Sequence, residues 1–440
     1  GVLLSLTYVK EQEIEGWARH DTNGLFVGVC SITEKHQSDV NTTTRFGALT
    51  DAVYVVTQRY ILGHDVWVYY SERMDDRNWF NVEDCICVDA CLTYSMAFPQ
   101  ATLSPVAANG TNNITSTIQI NGGSGYTAPT AIAVDSTGRG TGAAFSVSVS
   151  GGVITAITPT SGGNNYVAGA TQVIIADSTG SGAIFQPVIT NYVTFNASTS
   201  VFSSGMIGDV IRAGGGKATI VTYNSGTQVV ADITQPIVAI IPNDPNFMPV
   251  PIVAGEWSVS TPTSVVNGLN HLEGMIVTGL ADGGVITPVE VVNGSITLSQ
   301  PASSIVVGLP FTAQVQTMPL EMPSQVTTMG KRKNASSSIL ILEASRGLQV
   351  GANQLDQSMI PDSVGITPNS PIWTNLDEMK QRNMFVNAGS AIPLFSGISE
   401  PINITSDWNQ RGQIAIQQSY PLPMNLLACV SEFSVGDNSG

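Results

Sequence analysis

Four histidines, five cysteines and a few carboxylate pairs are the side chains of this sequence that could carry chemistry. The densest cluster is Cys85-x-Cys87-x-x-x-Cys91, with Asp84 beside it and Asp89 inside it. Zinc sites usually join a closely spaced cysteine pair to a second Cys/His pair at a distance, and no such partner stands out. On a strand, Cys85, Cys87, Asp89 and Cys91 would share one face. Small buried packing residues are expected there, ahead of a disulfide or a metal site. His20, His36, His64 and His271 fall outside any His-Glu-x-x-His pattern, and no Gly-x-Ser-x-Gly elbow is present. Asp75-Asp76 and Glu83-Asp84 are carboxylate couples, but sugar hydrolysis depends on a separation that a sequence does not supply. Gly214-Gly215-Gly216-Lys217 misses the Walker spacing, because Ala218 follows the lysine and a strand-like run comes next. It reads as a turn. No catalytic, cofactor-binding or metal-binding residues are therefore expected, and the chain reads as a non-enzyme.

The elements that would position these residues are strands. Charged residues make up only 11% of the 440-residue chain, against about 25% in an ordinary soluble domain. Gly, Ser, Thr, Asn and Gln take their place among many β-branched residues, which suits short strands joined by tight turns. Glu13–His20 and Leu25–Val29 flank Asp21-Thr22-Asn23-Gly24, and an Asn-Gly between alternating runs predicts a hairpin. Ala52–Arg59 and Val66–Arg73 read as two further strands turning at Gly63-His64-Asp65, so that four strands would form one sheet or propeller blade. From residue 96 the chain loses charge and gains glycine. Gly122-Gly123-Ser124-Gly125-Tyr126 recurs as Gly162-Gly163-Asn164-Asn165-Tyr166, Asp135–Gly138 as Asp177–Gly180, and Phe145 as Phe185. Two tandem β units, each anchored by one Tyr and one Phe, follow from this repeat. Turns at Asn267-Gly268, Ala281–Gly284 and Asn293-Gly294 space the strands of a small sandwich or barrel. Pro371–Asn383 reads as a short helix.

The expected class is thus all-β, in five parts: 1–95, a sheet or propeller part; 96–190, the glycine-rich repeat; 191–245, a small module; 246–325, a sandwich or barrel; and 326–440, a C-terminal part. The chain opens on Gly1 directly before Val2-Leu3-Leu4, which reads as a fragment or a processed chain. Formal net charge is −16, and the only basic run, Lys331-Arg332-Lys333, reads as a solvated turn or sheet edge. Tight, specific DNA binding is disfavoured, because phosphate readers carry basic stripes. Transient, non-specific passage of DNA is not. No apolar run of about 18 residues suggests a membrane span.

Several segments share an order with one family. They are Leu6–Glu13, Gly16-Trp17-Ala18-Arg19-His20-Asp21-Thr22, Asn23–Phe26, Asp51–Tyr54, Tyr70–Met74 and Leu92–Tyr94, then, more loosely, Val266–Gly274. Val307–Phe311, Arg411–Ile414 and Tyr420-Pro421-Leu422-Pro423 complete the series. In this order they resemble the tail nozzle (tail tubular or stabilisation) proteins of short-tailed bacteriophages. The likeness covers about two thirds of the chain, in its two ends and the 246–325 part. The glycine-rich repeat resembles a short β module inserted in phage structural proteins.

The resemblance implies a propeller-like platform, with small inserted β-sandwich or barrel domains, assembling as a homo-hexameric ring in the virion. It implies portal adaptor and tail fibre proteins as neighbours, and a lumen that conducts double-stranded DNA on ejection. It gives Trp17, Arg19, His20, Asp21, Arg73, Pro421 and Pro423 structural roles. An acidic or neutral wall would not retain the genome, so part of the negative charge is expected to line that channel. The competing class is a tail adhesin or fibre-docking protein that meets a host surface. In it Tyr126 and Tyr166 would stack on glycans, although core anchoring of the repeat is the plainer role for both.

Overall fold

In the computed structural model the chain is nearly all-β, with a sheet curled into a half-barrel. The structure describes the chain apart from residues 1–2, 10–13, 36–48, 76–78, 80, 95–98, 108–111, 137, 167–169, 191, 214–215, 236, 238–250, 322–327, 329, 355–372, 382–391, 407 and 437–440. Among the described residues there is no α-helix. Backbone contacts divide the chain into two units. The described residues of 1–36, 47–94 and 263–440 form one, and those of 95–262 the other.

The first unit begins with a two-stranded ribbon. Strand β1 (Leu3–Val9) pairs antiparallel with β2 (Ile14–His20), from Leu3 opposite His20 to Val9 opposite Ile14. Strands β3 (Leu25–Lys35), β4 (Leu49–Ile61) and β5 (Val66–Arg73) make a separate sheet with β4 in the middle. The hairpin expected across Asn23-Gly24 is therefore not formed, and the four strands do not make one sheet. Gly24 has φ 143°, and a Cβ there would stand 2.4 Å from the Gln58 carbonyl oxygen. The Arg59 guanidinium also donates to the Asn23 carbonyl. This segment turns a corner against β4 instead of folding β2 onto β3. The β4–β5 hairpin does form at the expected turn, where Asp65 takes φ 52°. On β4, Val55, Thr57, Arg59 and Ile61 face inward and are buried, and Val56 faces out. Strand β6 (Asp89–Thr93) follows.

The second unit holds a six-stranded sheet. Its strands are β7 (Leu103–Ala107), then, after the repeat, β14 (Tyr192–Ala197), β15 (Val210–Ala213), β16 (Gly216–Ser225), β17 (Gln228–Gln235) and β18 (Trp257–Ser260). They lie in the order β18-β15-β16-β17-β14-β7. The expected boundaries at 190 and 245 do not stand, because β7 pairs with β14 and β18 with β15 across them, whereas the one at 95/96 falls within a residue of the division between the two units. Phe195, Ile211 and Trp257 are fully buried in its core, and the Trp257 indole N–H donates to the Ala101 carbonyl at 2.7 Å.

The repeat supplies β8 (Ile114–Ser124), β9 (Thr130–Asp135) and β10 (Thr141–Ser150), then β11 (Val153–Asn164), β12 (Thr171–Ala176) and β13 (Ser181–Ile189). These are not two tandem units. Strand β8 pairs with β13, β9 with β12 and β10 with β11, so each half of the repeat pairs with the other half. The irregularities agree as well. The β10–β11 register shifts after Ala144 and Ser148, and the β13–β8 register after Ile184 and Val188, each forty residues on.

The first unit resumes with β19 (Thr263–Asn267), β20 (Ile276–Ala281), β21 (Gly284–Glu290), β22 (Ser295–Ala302) and β23 (Ile305–Leu309). Strand β6 pairs with the edge of β23, and Ile61 shares a core with Leu269, Leu272, Val277 and Val307. The stretches 1–95 and 263–325 thus share one core rather than making separate domains. The turn at 281–284 closes a hairpin with Asp282 at φ 47° and Gly283 at φ 76°, as the Asp-Gly pair predicts. Next come β24 (Ala313–Gln316), β25 (Lys333–Ser345), β26 (Gln349–Ala352), β27 (Asp377–Glu378), β28 (Phe395–Ile398), β29 (Ile402–Asn403), β30 (Ile414–Gln418) and β31 (Leu426–Val435). The helix expected over 371–383 is absent from its described part. Asn375 takes φ 56°, which breaks a helix, and Asp377–Glu378 pairs with β26. Residues 371–372 and 382–383 lie outside the described residues.

Candidate functional site

Strand alternation builds the most densely connected polar cluster. Arg59 and Glu72 both face inward across the β4–β5 hairpin, where the core would otherwise be apolar. Arg59, 1% exposed, donates from Nε and Nη2 to Glu72 Oε1 at 2.9 and 2.8 Å, and from Nη2 to Oε2 at 2.8 Å. The Thr57 hydroxyl and the Ala90 amide also donate to Glu72. A buried pair must be met on every side, since removing one partner strands the other's charge. Beside it the Thr22 hydroxyl donates to Asp89 Oδ2 at 2.7 Å. Burial raises the Asp89 carboxyl above its usual range, and the Thr22 bond and Arg59 only partly offset this.

Above this network lies a cleft of about 570 Å³. His20, Asp21, Arg73, Asp75, Trp79, Cys91, His271 and Pro423 are among the residues that line it. His271 Nε2 lies 3.0 Å from the Ala90 carbonyl oxygen and can approach it only as a donor. Its own carbonyl accepts from the Tyr70 hydroxyl at 2.6 Å, and the two rings meet edge to face. Burial raises the Tyr70 phenol. Glu72 is saturated by donors and His271 is committed to the backbone, so these groups fix geometry rather than stand ready to accept a substrate proton.

The residues that carry the resemblance separate into three groups. His20, Asp21, Arg73 and Pro423 come together around the cleft. His20 is held by Ser5 Oγ at 2.7 Å, and Arg73 by Glu34 at 2.6 Å. Arg19 pairs with Asp21 at 3.0 Å, both more than half exposed, and Pro421 is buried. Trp17 is 72% exposed on the ribbon, away from any core.

The cysteines do not share a strand face. Val82–Asp84 forms a 3-10 turn closed by a capping box between Asn81 and Asp84, and only Cys91 lies on β6. Cys85 and Cys87 are buried, all five cysteines are free, and burial pushes the Cys91 thiol up to about 11. Among the described residues no three His, Cys, Asp or Glu side chains are placed to share a metal ion. Glu83 is buried and Asp75 accepts from the Trp79 indole, which ties both to packing, while Asp76 lies outside the described residues. Lys333 is not solvated: it is 1% exposed, reaching the Gln410 carbonyl at 3.2 Å and Glu321 at 3.5 Å. A polar residue on the inward parity of an apolar strand, such as Arg59, is the signal that would have revealed the network.

Tyr126 and Tyr166 are 6% and 2% exposed. Their hydroxyls accept from the Ala183 and Ala143 amides at 3.1 and 3.2 Å. Gly180 and Gly140 lie against the two rings, where a Cβ would come within 2.3 and 2.1 Å. Both rings are core anchors, closed to a stacking sugar.

No protein-family model and no curated protein matches this chain.

Proposed function

We propose that this chain is a structural virion protein of a phage tail, a nozzle subunit with a propeller-like platform, whose copies form a ring continuing the portal and adaptor channel. Six copies surround a lumen through which DNA leaves the capsid, with portal adaptor and tail fibre proteins of the same virion as neighbours. One observation carries the reading. Segments that resemble the nozzle family, drawn from both ends of the sequence, converge on a single unit, where His20, Asp21, Arg73 and Pro423 surround one cleft. The Val266–Gly274 segment joins them through His271 and Tyr70. The polar groups there are spent on fixing backbone, which suits a part that must hold shape under load.

Little DNA chemistry is required of such a part. Repulsion reaches only about 8 Å at physiological ionic strength, so acidic residues matter where the bore is narrow. Electron microscopy of the purified protein and of intact particles is the test. Six-fold rings with a central bore, set beneath the portal, are the expected result, with more Asp and Glu than Lys and Arg along the wall. A protein found only at fibre tips, or binding glycans through residues 96–245 alone, would transfer the chain to the adhesin class.

A further inference from the structure

The β1–β2 ribbon has an exposed, largely apolar face, on which Arg19 stands opposite Leu4. Register places Leu4, Leu6, Tyr8 and Trp17 on that face, and they are 58%, 47%, 56% and 72% exposed. A lone two-stranded ribbon is marginal in water, and one bearing such a face lacks a cover. The β3–β4–β5 sheet has the matching defect. On β4 and β5 its inner face packs on the core, so its outer face should be polar. Instead Leu25, Ile32, Val56, Trp67 and Tyr69 are 46%, 48%, 38%, 45% and 63% exposed. The register puts them on one side with the exposed Cys30, beside Tyr54, Gln58 and the Arg73–Glu34 pair.

Within one copy the named residues of both faces stay exposed. The connection 21–24 is pinned by the Thr22–Asp89 and Arg59–Asn23 hydrogen bonds and by the close seat of Gly24 on Gln58. We propose that the apolar face of the ribbon of one copy lies across the outer face of the β3–β4–β5 sheet of the next. Each face offers on the order of 500 Å² of apolar surface. With the backbone around them, the two approach the roughly 800 Å² per partner of a stable association. The contact joins two different surfaces, so it is head-to-tail, and such contacts close into rings or run on as filaments. It rests on the assembly reading above and names the surfaces that would make the ring.

The full chain carrying Leu6→Cys tests this, because Cys30 already stands on the receiving face. Mild oxidation should give a ladder of covalent multimers, abolished in Leu6→Cys/Cys30→Ser. Trp17→Lys should weaken self-association by roughly tenfold or more, as loss of an aromatic anchor does. A Trp17→Lys chain and a Tyr69→Lys chain, each unable to grow, should form one-to-one dimers when mixed, since each keeps one intact half of the contact. The unchanged circular dichroism of a strand-rich protein shows that these surface variants still fold. Rings that persist in Trp17→Lys, without any cross-link to Cys30, overturn the contact and leave the nozzle reading intact. Head-to-tail multimers absent from phage tails uphold the contact and sink the nozzle reading. A wild-type chain that stays monomeric at its highest soluble concentration overturns the contact, and particle imaging then judges the nozzle reading alone.

Discussion

Arg59 and Glu72 are tolerated in the interior because every charged atom has somewhere to go: two strands, a corner and the Ala90 amide supply the partners. Arg59→Met leaves Glu72 without its cation, and a loss of about 3 kcal/mol is expected from urea unfolding. Asp89 gives a signed pH effect. Its folded carboxyl sits above the ordinary value of 3.8, because burial disfavours the ion. The protonated form is the stabilised one, so stability from this group is complete below the ordinary value and is lost as pH rises through the raised one. Asp89→Asn should therefore flatten the fall in melting temperature across that window, relative to wild type. A parallel fall in both proteins would rule Asp89 out as its source. Thiol labelling should reach exposed Cys30 first, while Cys85 and Cys91, whose thiols burial raises, lag far behind. The cysteines show what a sequence discloses at this scale. Their packing character followed from the missing second ligand pair, but their geometry depended on a 3-10 turn closed by Asn81 and Asp84, which no periodicity announces.

Strands were readable wherever alternation met a strong turn residue. The 63–65 and 281–284 hairpins are such cases. The Asn23-Gly24 hairpin failed because tertiary contacts with Gln58 and Arg59 outweighed a local turn preference. In the repeat, recurrence gave two β units and their Tyr anchors, but not which strands pair, since identical halves pair equally well in either sense. Structure also revises one equivalence: Gly140, not Gly138, matches Gly180, because both press on the opposite half's tyrosine. Gly140→Ala and Gly180→Ala should each destabilise the module by about 1–3 kcal/mol, and by similar amounts, in thermal unfolding. Markedly unequal losses would argue against the two-fold pairing of the halves. Tyr126→Phe should cost about 1 kcal/mol by leaving the Ala183 amide without its acceptor.

Two units in one chain make a prediction for the whole molecule. The inserted unit leaves and re-enters at neighbouring points of the first unit, where Tyr94 donates to the Ile305 carbonyl and Thr263 lies opposite Ala302. Replacing residues 95–262 with a short Gly/Ser linker should leave the first unit folded, and calorimetry of the full chain should resolve two transitions. A linker variant that fails to fold would mean that the insertion is part of the first unit's own core. The five-part division read from composition erred here because charge and glycine content mark surface chemistry. Strand β7 and strand β14, on opposite sides of the repeat, share one sheet whatever lies between them.

The pairing of β6 with β23 sets a schedule for synthesis. Thr93 must wait for Val306, which is 306 − 93 = 213 residues later. At about 5–20 residues per second the nascent first unit stands open for roughly 10–40 s. The inserted unit is made inside that interval, with all its partners local to it, so it matures first and rides on an unfinished host. A cell translating this message thus holds a long-lived half-built protein with bare strand edges, and chaperone demand should peak before the last quarter of the chain emerges.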